Sequence, residues 1–173
     1  MSTIFVNNIK HTGGTTGLTI DSGGRVLQPS VPAFRVGLTA TQSITNANTN
    51  TLVEWNEGTS SESDFCFTQG GFSWSSHIVT VPVAGVYSFS IIIRLDGIGS
   101  GNCNAKIIKN SDVTSNREYL SIEGHPSSTY QSVTGSGIYK CSASDTIQVT
   151  VYAESDSSWS VNNSSIFSGH FVG

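Results

Sequence analysis

The sequence predicts one all-β domain, built as a sandwich or barrel, that follows a short N-terminal extension. No window of about a dozen residues keeps a helical period. Apolar and polar residues instead alternate in short runs, which Gly, Asn, Ser and Asp interrupt about every 8–12 residues. Serine and threonine supply roughly a quarter of the chain, a composition that favours strand surfaces and turns over helices.

The N-terminal extension holds three short extended pieces that two glycine pairs separate. These pieces are residues 3–9, 17–20 and 25–28. About thirty residues of this kind cannot build a core alone, so we expect them to dock on a partner. We place the boundary between an attachment segment, 1–30, and a main domain, 31–173. The predicted attachment residues are the apolar side chains of the segment: Ile4, Val6, Ile9, Leu18, Ile20 and Val26.

Ten strands are predicted in the main domain, each a run of alternating or β-branched residues that ends at turn residues. They are 33–38, 50–56, 64–67, 72–83, 86–95, 103–109, 117–123, 129–140, 145–153 and 165–172. The long polar stretch 154–165 is predicted to be a loop.

The strand 86–95 has two faces of different character. Its odd positions, from Tyr87 to Leu95, are all apolar and predict a face that packs in the core. On the other face Val86 and Ile92 flank two serines, which is unusual for a surface that meets only water. We expect another layer or another subunit to cover that face.

Charge, cysteine content and hydropathy exclude several classes of protein. The chain has eight Lys plus Arg against twelve Asp plus Glu, and the cations are scattered, so nucleic acid is not an expected partner. Three cysteines without a CxxC pair predict buried thiols rather than disulfides or a zinc ribbon. Neither a signal peptide nor membrane insertion is expected, because no apolar run is long enough.

No motif for catalysis or for a cofactor is present. The sequence lacks a GxSxG elbow, a Walker loop, GxGxxG and HExxH, and its four histidines are dispersed. Acid pairs such as Glu154/Asp156 would suit a glycan hydrolase or Ca²⁺, but their loop positions favour solvated carboxylates. We therefore predict no enzyme activity, no catalytic residue, no metal and no cofactor.

Trp159 is the one aromatic residue of the polar stretch 154–165. It is a candidate for stacking on a sugar, with Asn162 and Asn163 beside it as hydrogen-bonding partners. Packing of the loop or contact with another subunit are the alternative interpretations of this tryptophan.

Five short stretches, taken in order, resemble the globular head domain of complement C1q and its relatives of the tumour necrosis factor fold. They are Pro32-Ala33-Phe34, the "TVPVAGVYSF" of 80–89, the "AKIIKN" of 105–110, the "SDTIQV" of 144–149 and the "SIFSGHF" of 165–171. The second stretch is similar to the aromatic P-x-x-G-x-Y-x-F signature of those domains. One departure from the pattern is Ser144, where a glycine is usual.

The resemblance implies a ten-stranded jelly roll that assembles as a tight homotrimer and serves structure and recognition. Combined with strand alternation, it nominates eight residues for the trimer interface. They are Val86, Ser88, Ser90, Ile92, Gln148, Thr150, Tyr152 and His170.

The N-terminal "IFVNNIKHTGGTTGLTIDSGGRVLQP" resembles the short leaders of bacteriophage structural proteins, particularly marine ones. The sequence thus suggests a virion protein made in the bacterial cytoplasm, a short fibre or a decoration of capsid or tail. Residues 1–30 would bind other virion proteins, and the head domain would bind a host-surface glycan. The alternatives are a virion-borne glycan hydrolase, or a structural cement protein without host contact.

Overall fold

Strands account for the regular structure in the described part of the chain. The computed structural model describes residues 8–10, 13, 16–28, 30–56, 66–99, 101–111, 119–124 (backbone), 130–154 and 157–173. In chain order the strands are β1 (Asn8–Lys10), β2 (Thr16–Ile20), β3 (Val26–Leu27), β4 (Ala33–Gly37), β5 (Gln42–Ile44), β6 (Thr51–Leu52), β7 (Phe67–Gln69), β8 (Ser73–Ser75), β9 (Ile78–Thr80), β10 (Gly85–Asp96), β11 (Cys103–Lys109), β12 (Tyr119–Gly124), β13 (Tyr130–Cys141), β14 (Thr146–Ala153), β15 (Trp159–Val161) and β16 (Ile166–Phe171).

Ten of these strands form the predicted jelly-roll sandwich of two antiparallel sheets. The front sheet has the order β7-β4-β16-β10-β13, and the back sheet has the order β8-β9-β14-β11-β12. β5 and β15 lengthen the front sheet, and β6 pairs with β14 of the back sheet. The strands β1, β2 and β3 form a sheet of their own, named here the leader sheet.

The core lies between the two main sheets, as the alternation predicts. Odd residues of β10 are buried, and so are the odd residues of β14 from Ile147 to Ala153. Aromatic rings fill the centre: Phe34 meets Phe72 and Phe167 edge-on at centroid distances of 4.9 Å. Tyr87 is buried among them and donates its hydroxyl to the Val83 carbonyl at 2.9 Å, while its burial raises the pKa of the phenol.

Three local predictions are wrong. The predicted strand 72–83 is a hairpin of β8 and β9, which turns at Ser76 and His77 with φ of 51° and 67°. The predicted strand 50–56 is reduced to β6, because the chain leaves β14 after Val53, whose amide donates to the Val149 carbonyl at 2.9 Å, and buries Trp55 in the core. The region predicted as the loop 154–165 contains a strand, β15, and another unpredicted strand, β5, pairs with it.

Strand directions define two ends of the sandwich. At the proximal end, the Pro32 carbonyl accepts a hydrogen bond from Phe171 N at 2.9 Å, and β10 begins at Gly85. At the distal end, β10 finishes at Asp96 and β13 begins at Tyr130. Because the leader sheet precedes Pro32, the chain joins it to the main domain at the proximal end.

Candidate assembly surfaces

The outward face of the front sheet, named here the front face, is built on the even-numbered residues of β10. β13 pairs with one edge of β10 and β16 with the other, so directly opposed residues share the face. The central rows, written from β13 through β10 to β16, are Ile138–Ser88–His170, Ser136–Ser90–Ser168 and Thr134–Ile92–Ile166.

Large apolar side chains are exposed on this face. Ile138 is 74% exposed and Ile92 is 50% exposed. Tyr130, opposite Asp96, and Phe67, opposite Arg35, are exposed on the same face. Val172 continues the face at the proximal end, where its amide donates to the Val86 carbonyl. Exposed apolar side chains clustered on one sheet face mark an interaction surface.

A polar stripe crosses the middle of the front face. The hydroxyls of Ser90 and Ser168 are hydrogen-bonded at 2.8 Å, and Ser136 is exposed beside them. These short side chains let another protein surface approach the front sheet closely.

Five of the eight residues nominated for the trimer interface share the front face. They are Val86, Ser88, Ser90, Ile92 and His170. The other three, Gln148, Thr150 and Tyr152, lie on β14 in the back sheet and point away from the core. Thr150 is buried, and the Tyr152 hydroxyl donates to Asn48 Oδ1 at 3.1 Å. They therefore do not share a surface with the front-face residues, and their place in a trimer interface stays a prediction.

Ile138, Tyr130 and Phe67 were not predicted as contact residues. Ile138 and Tyr130 lie in the predicted strand 129–140, where Val133 and Tyr139 face inward. The alternation of side chains along that strand could have identified Ile138 as an outward residue.

The predicted sugar-stacking role of Trp159 is wrong, because its ring is part of the core. Trp159 is only 4% exposed, and its Nε1 donates to the Asn46 carbonyl at 3.2 Å. Asn162 has a structural role: its Nδ2 donates to Asp96 Oδ2 at 2.7 Å and its Oδ1 accepts the Ser164 amide. Asn163 is exposed, and it remains a candidate contact residue at the surface.

The leader sheet brings four of the six predicted attachment residues to one face. Ile9 is paired with Leu18, and Ile20 is paired with Val26. Since Leu18 and Ile20 are two residues apart on β2, all four side chains share a face, and Ile9 and Val26 are more than half exposed. Ile4 and Val6 lie outside the described residues.

The turn between β2 and β3 is held by one carboxylate. Asp21 accepts hydrogen bonds from the amides of Gly23 and Arg25 and forms an ion pair with the Arg25 guanidinium at 2.7 Å. The hydrogen bonds from Arg25 and Gly23 lower the pKa of the Asp21 carboxyl. This turn fixes the register in which Val26 meets Ile20.

Two stretches that carry the C1q resemblance meet at the proximal end. Asp145 Oδ1 accepts Asn110 Nδ2 at 2.9 Å, and Asp145 Oδ2 accepts the Ser142 amide at 2.8 Å, with Lys109 Nζ at 3.8 Å. Ser144 takes the left-handed conformation that glycine favours, with φ of 71°. The cluster locks the β11 and β14 turns together.

We expect Asp145→Ala to destabilise the domain by about 2 kcal/mol at neutral pH, because it removes the acceptor of the Asn110 side chain and the Ser142 amide. Partial burial alone would raise the pKa of Asp145, but the bonds from Asn110 and Ser142 and the charge of Lys109 hold it below its ordinary value. The contribution is thus present above the unfolded pKa of about 3.9 and is lost as pH falls through the lower folded pKa.

Urea denaturation of both proteins at neutral pH and near pH 3 measures this effect, and the difference between them should shrink in acid. Asp21→Ala is the matched control, since it removes a hydrogen-bonded carboxylate from the leader sheet only. Equal stability of Asp145→Ala and the unchanged protein at neutral pH would contradict the role of the cluster.

Neither a catalytic pair nor a metal site emerges from the described residues. Glu154 Oε2 accepts the Asn102 amide at 3.2 Å, and Asp156, its suggested partner, lies outside the described residues. No group of three or more His, Cys, Asp or Glu side chains in the described ranges is arranged to hold a metal ion. That same part of the chain contains no helix long and apolar enough to span a membrane.

Comparison with solved structures finds the same fold in two animal protein groups. Murine APRIL at pH 5.0 matches with a TM-score of 0.60 and 14% identity, over 82% of this chain and 99% of that chain. The globular domain of zebrafish complement 1qA protein matches with a TM-score of 0.53 and 20% identity, over 82% of this chain and 98% of that chain. No protein-family model matches the sequence, and no curated protein sequence does. The chain therefore has the jelly-roll fold of tumour necrosis factor and C1q domains, as the sequence predicts.

Proposed function

We propose that this chain is a homotrimeric structural protein of a bacteriophage virion, which attaches through its leader and presents the distal end of its head domain to the host surface. The observation that carries the proposal is the front face, where exposed isoleucines lie beside the polar stripe. The function is binding, in two places, and involves no chemical step.

The front face suits contact with further copies of the chain. Ile92 and Ile138 provide an apolar centre, and Arg94 with Asp96 provides a polar rim, which is the usual composition of a protein interface. The fold supports a trimer in particular, because the resemblance to C1q and tumour necrosis factor domains implies one.

The leader suits attachment to another protein. A segment of about thirty residues is too small to be stable alone, and one face of its sheet is apolar and exposed. Within the described residues, the outer edges of β1 and β3 pair with no other strand, so a partner strand can extend them. The assignment to a phage virion rests on the resemblance of this leader to those of phage structural proteins.

The leader and the proposed host-binding turns lie at opposite ends of the main domain, which supports a main domain that faces away from the particle. The leader joins the main domain at the proximal end, and the turns after β10 and β14 lie at the distal end. A particle bound at the leader would therefore have the distal turns farthest from its surface.

Sedimentation equilibrium of the purified chain at micromolar concentration tests the oligomer. We expect a mass three times the chain mass of 18.3 kDa. A protein that sediments as a single 18.3 kDa chain would refute the trimer.

We expect deletion of residues 1–30 to leave a folded trimer that no longer joins virions, because the main domain has its own core. The measurements are circular dichroism, sedimentation, and immunoblotting of particles assembled in cells that express only the shortened chain.

Two matched double variants refine this test without shortening the chain. Ile20→Glu with Val26→Glu places charge on the apolar face of the leader sheet and should also prevent attachment. Thr19→Glu with Leu27→Glu places the same charge on the opposite face, since those two residues are paired, and should attach normally. Loss of the main-domain fold on deletion, or normal attachment of the first variant, would contradict the role of the leader.

A further inference from the structure

A small, open cavity with a mixed polar and apolar lining lies at the distal end, where β5, β15 and the end of β10 meet. Its volume is about 280 Å³, near the lower limit for ligand sites in proteins. A cavity of this volume can hold a ligand with a single ring but not a larger one. The lining side chains and backbone belong to Ser43, Ile44, Thr45, Asp96, Gly97, Ser158, Trp159 and Ser160.

The sheet register brings the principal polar residues of this cavity into one row. Ser160 of β15 is opposite Ser43 of β5 on one side and opposite Asp96 of β10 on the other. All three therefore point to the same side of the front sheet. β16 pairs with β10 only as far as Ile92, so the row lies distal to the apolar part of the front face.

Asp96 is held in place and neutralised by its neighbours. Arg94 Nε donates to its Oδ1 and Asn162 Nδ2 donates to its Oδ2, each at 2.7 Å. Each carboxylate oxygen has a further lone pair for a ligand donor, and the ion pair with Arg94 leaves the site without net charge.

The hydroxyls of the cavity have capacity for a ligand. Ser43, Thr45, Ser158 and Ser160 form no side-chain hydrogen bond with any described residue. Each hydroxyl can donate one hydrogen bond and accept others, so the cavity offers donors and acceptors in a compact arrangement around one fixed carboxylate.

We propose that this cavity binds a single neutral sugar residue, with Asp96 accepting from one or two sugar hydroxyls and the serine hydroxyls completing the hydrogen bonds. A sugar ring matches the size of the cavity and its mixture of donors and acceptors. A divalent cation does not, because the cavity has one carboxylate and Arg94 already neutralises it. This inference names the ligand class of the proposed host-surface binding and rests on that proposal. Binding of the sugar itself can be measured on the isolated protein.

NMR titration of the full chain with neutral methyl glycosides of glucose, galactose, mannose and N-acetylglucosamine tests the proposal. We expect at least one glycoside to shift the amide resonances of Ser43, Gly97 and Ser160, with a Kd in the millimolar range for a single ring. If none of the four shifts these resonances, or if the shifts map to another part of the chain, the cavity is not a sugar site.

A blocking variant and a matched control locate the binding. Ser43→Phe fills the cavity from an exposed strand position and should weaken binding by at least about tenfold. Asn163→Ala, at the same end but outside the cavity lining, should bind as the unchanged protein does. Unaltered binding by Ser43→Phe would overturn the assignment.

Sedimentation of the same samples keeps this inference separate from the proposed function. A trimer that binds no glycoside contradicts the sugar site alone. A monomer that binds a glycoside at the cavity contradicts the trimer and leaves the site intact.

Discussion

Gly169→Ala is expected to destabilise the domain by about 3 kcal/mol, although it adds only a methyl group. A Cβ at this position of β16 would lie 2.5 Å from Phe89 Cδ1 and 2.6 Å from Phe34 Cε1. Neither ring has room to withdraw, because both are buried and Phe34 also packs edge-on against Trp74 at 5.1 Å. The methyl group must therefore separate β16 from its neighbours or displace the rings.

Urea denaturation at a fixed protein concentration measures this loss. Gly17→Ala is the matched control: it also adds a methyl group to a strand, but the nearest atom, the Ile9 carbonyl oxygen, is at an ordinary 3.7 Å. We expect the control to stay within about 0.5 kcal/mol of the unchanged protein. Wild-type stability of Gly169→Ala would show that the packing of Gly169 against the two rings is not as described.

Ile92→Glu combined with Ile138→Glu is expected to convert the proposed trimer to a folded monomer. The two side chains lie on neighbouring strands of the front face, and both are at least half exposed within one chain. Their replacement should not disturb the core, but in a trimer it would bury six carboxylates near one another without partners. Like charges brought together at an interface cost several kcal/mol, so association should weaken by at least about a hundredfold.

Sedimentation equilibrium and circular dichroism test this double variant together. The control is Val26→Glu with Val83→Glu, which charges two exposed apolar positions outside the front face. We expect the control to remain trimeric. If the front-face variant still sediments with three times the chain mass, the protein is a trimer but its interface is not the front face.

The long strands were predictable because their pattern is local. β10, β13, β14 and β16 each alternate over six residues or more, and each begins and ends within about one residue of the predicted range. β5 and β15 have three residues each, and their pairing depends on the strand that lies opposite rather than on their own sequence. The turn at Ser76 and His77 was missed because residues 72–80 contain neither the glycine nor the asparagine that usually signals a two-residue hairpin turn.

The candidate surfaces were predictable only in part, since alternation identifies a face of a strand but not the sheet that contains it. The outward residues of β10 and β14 have similar patterns, yet these strands belong to opposite sheets. Trp159 was misread for a related reason. Its polar sequence neighbours indicate a surface loop, whereas the partner of its indole, the Asn46 carbonyl, is 113 residues away in the chain.

The position of β16 also determines when the domain can fold. β16 lies between β4 and β10 in the front sheet but follows both in the chain, and its Ser168 is 78 residues beyond Ser90. While a ribosome is still synthesising residues before 166, a nascent chain has two unpaired strand edges at the place that β16 will fill. Closing such distant contacts is slow, on the order of milliseconds to seconds. Subunits of the proposed trimer should therefore meet only after β16 has left the ribosome and paired with β4 and β10, and chaperones that shield strand edges should raise the yield of assembled protein.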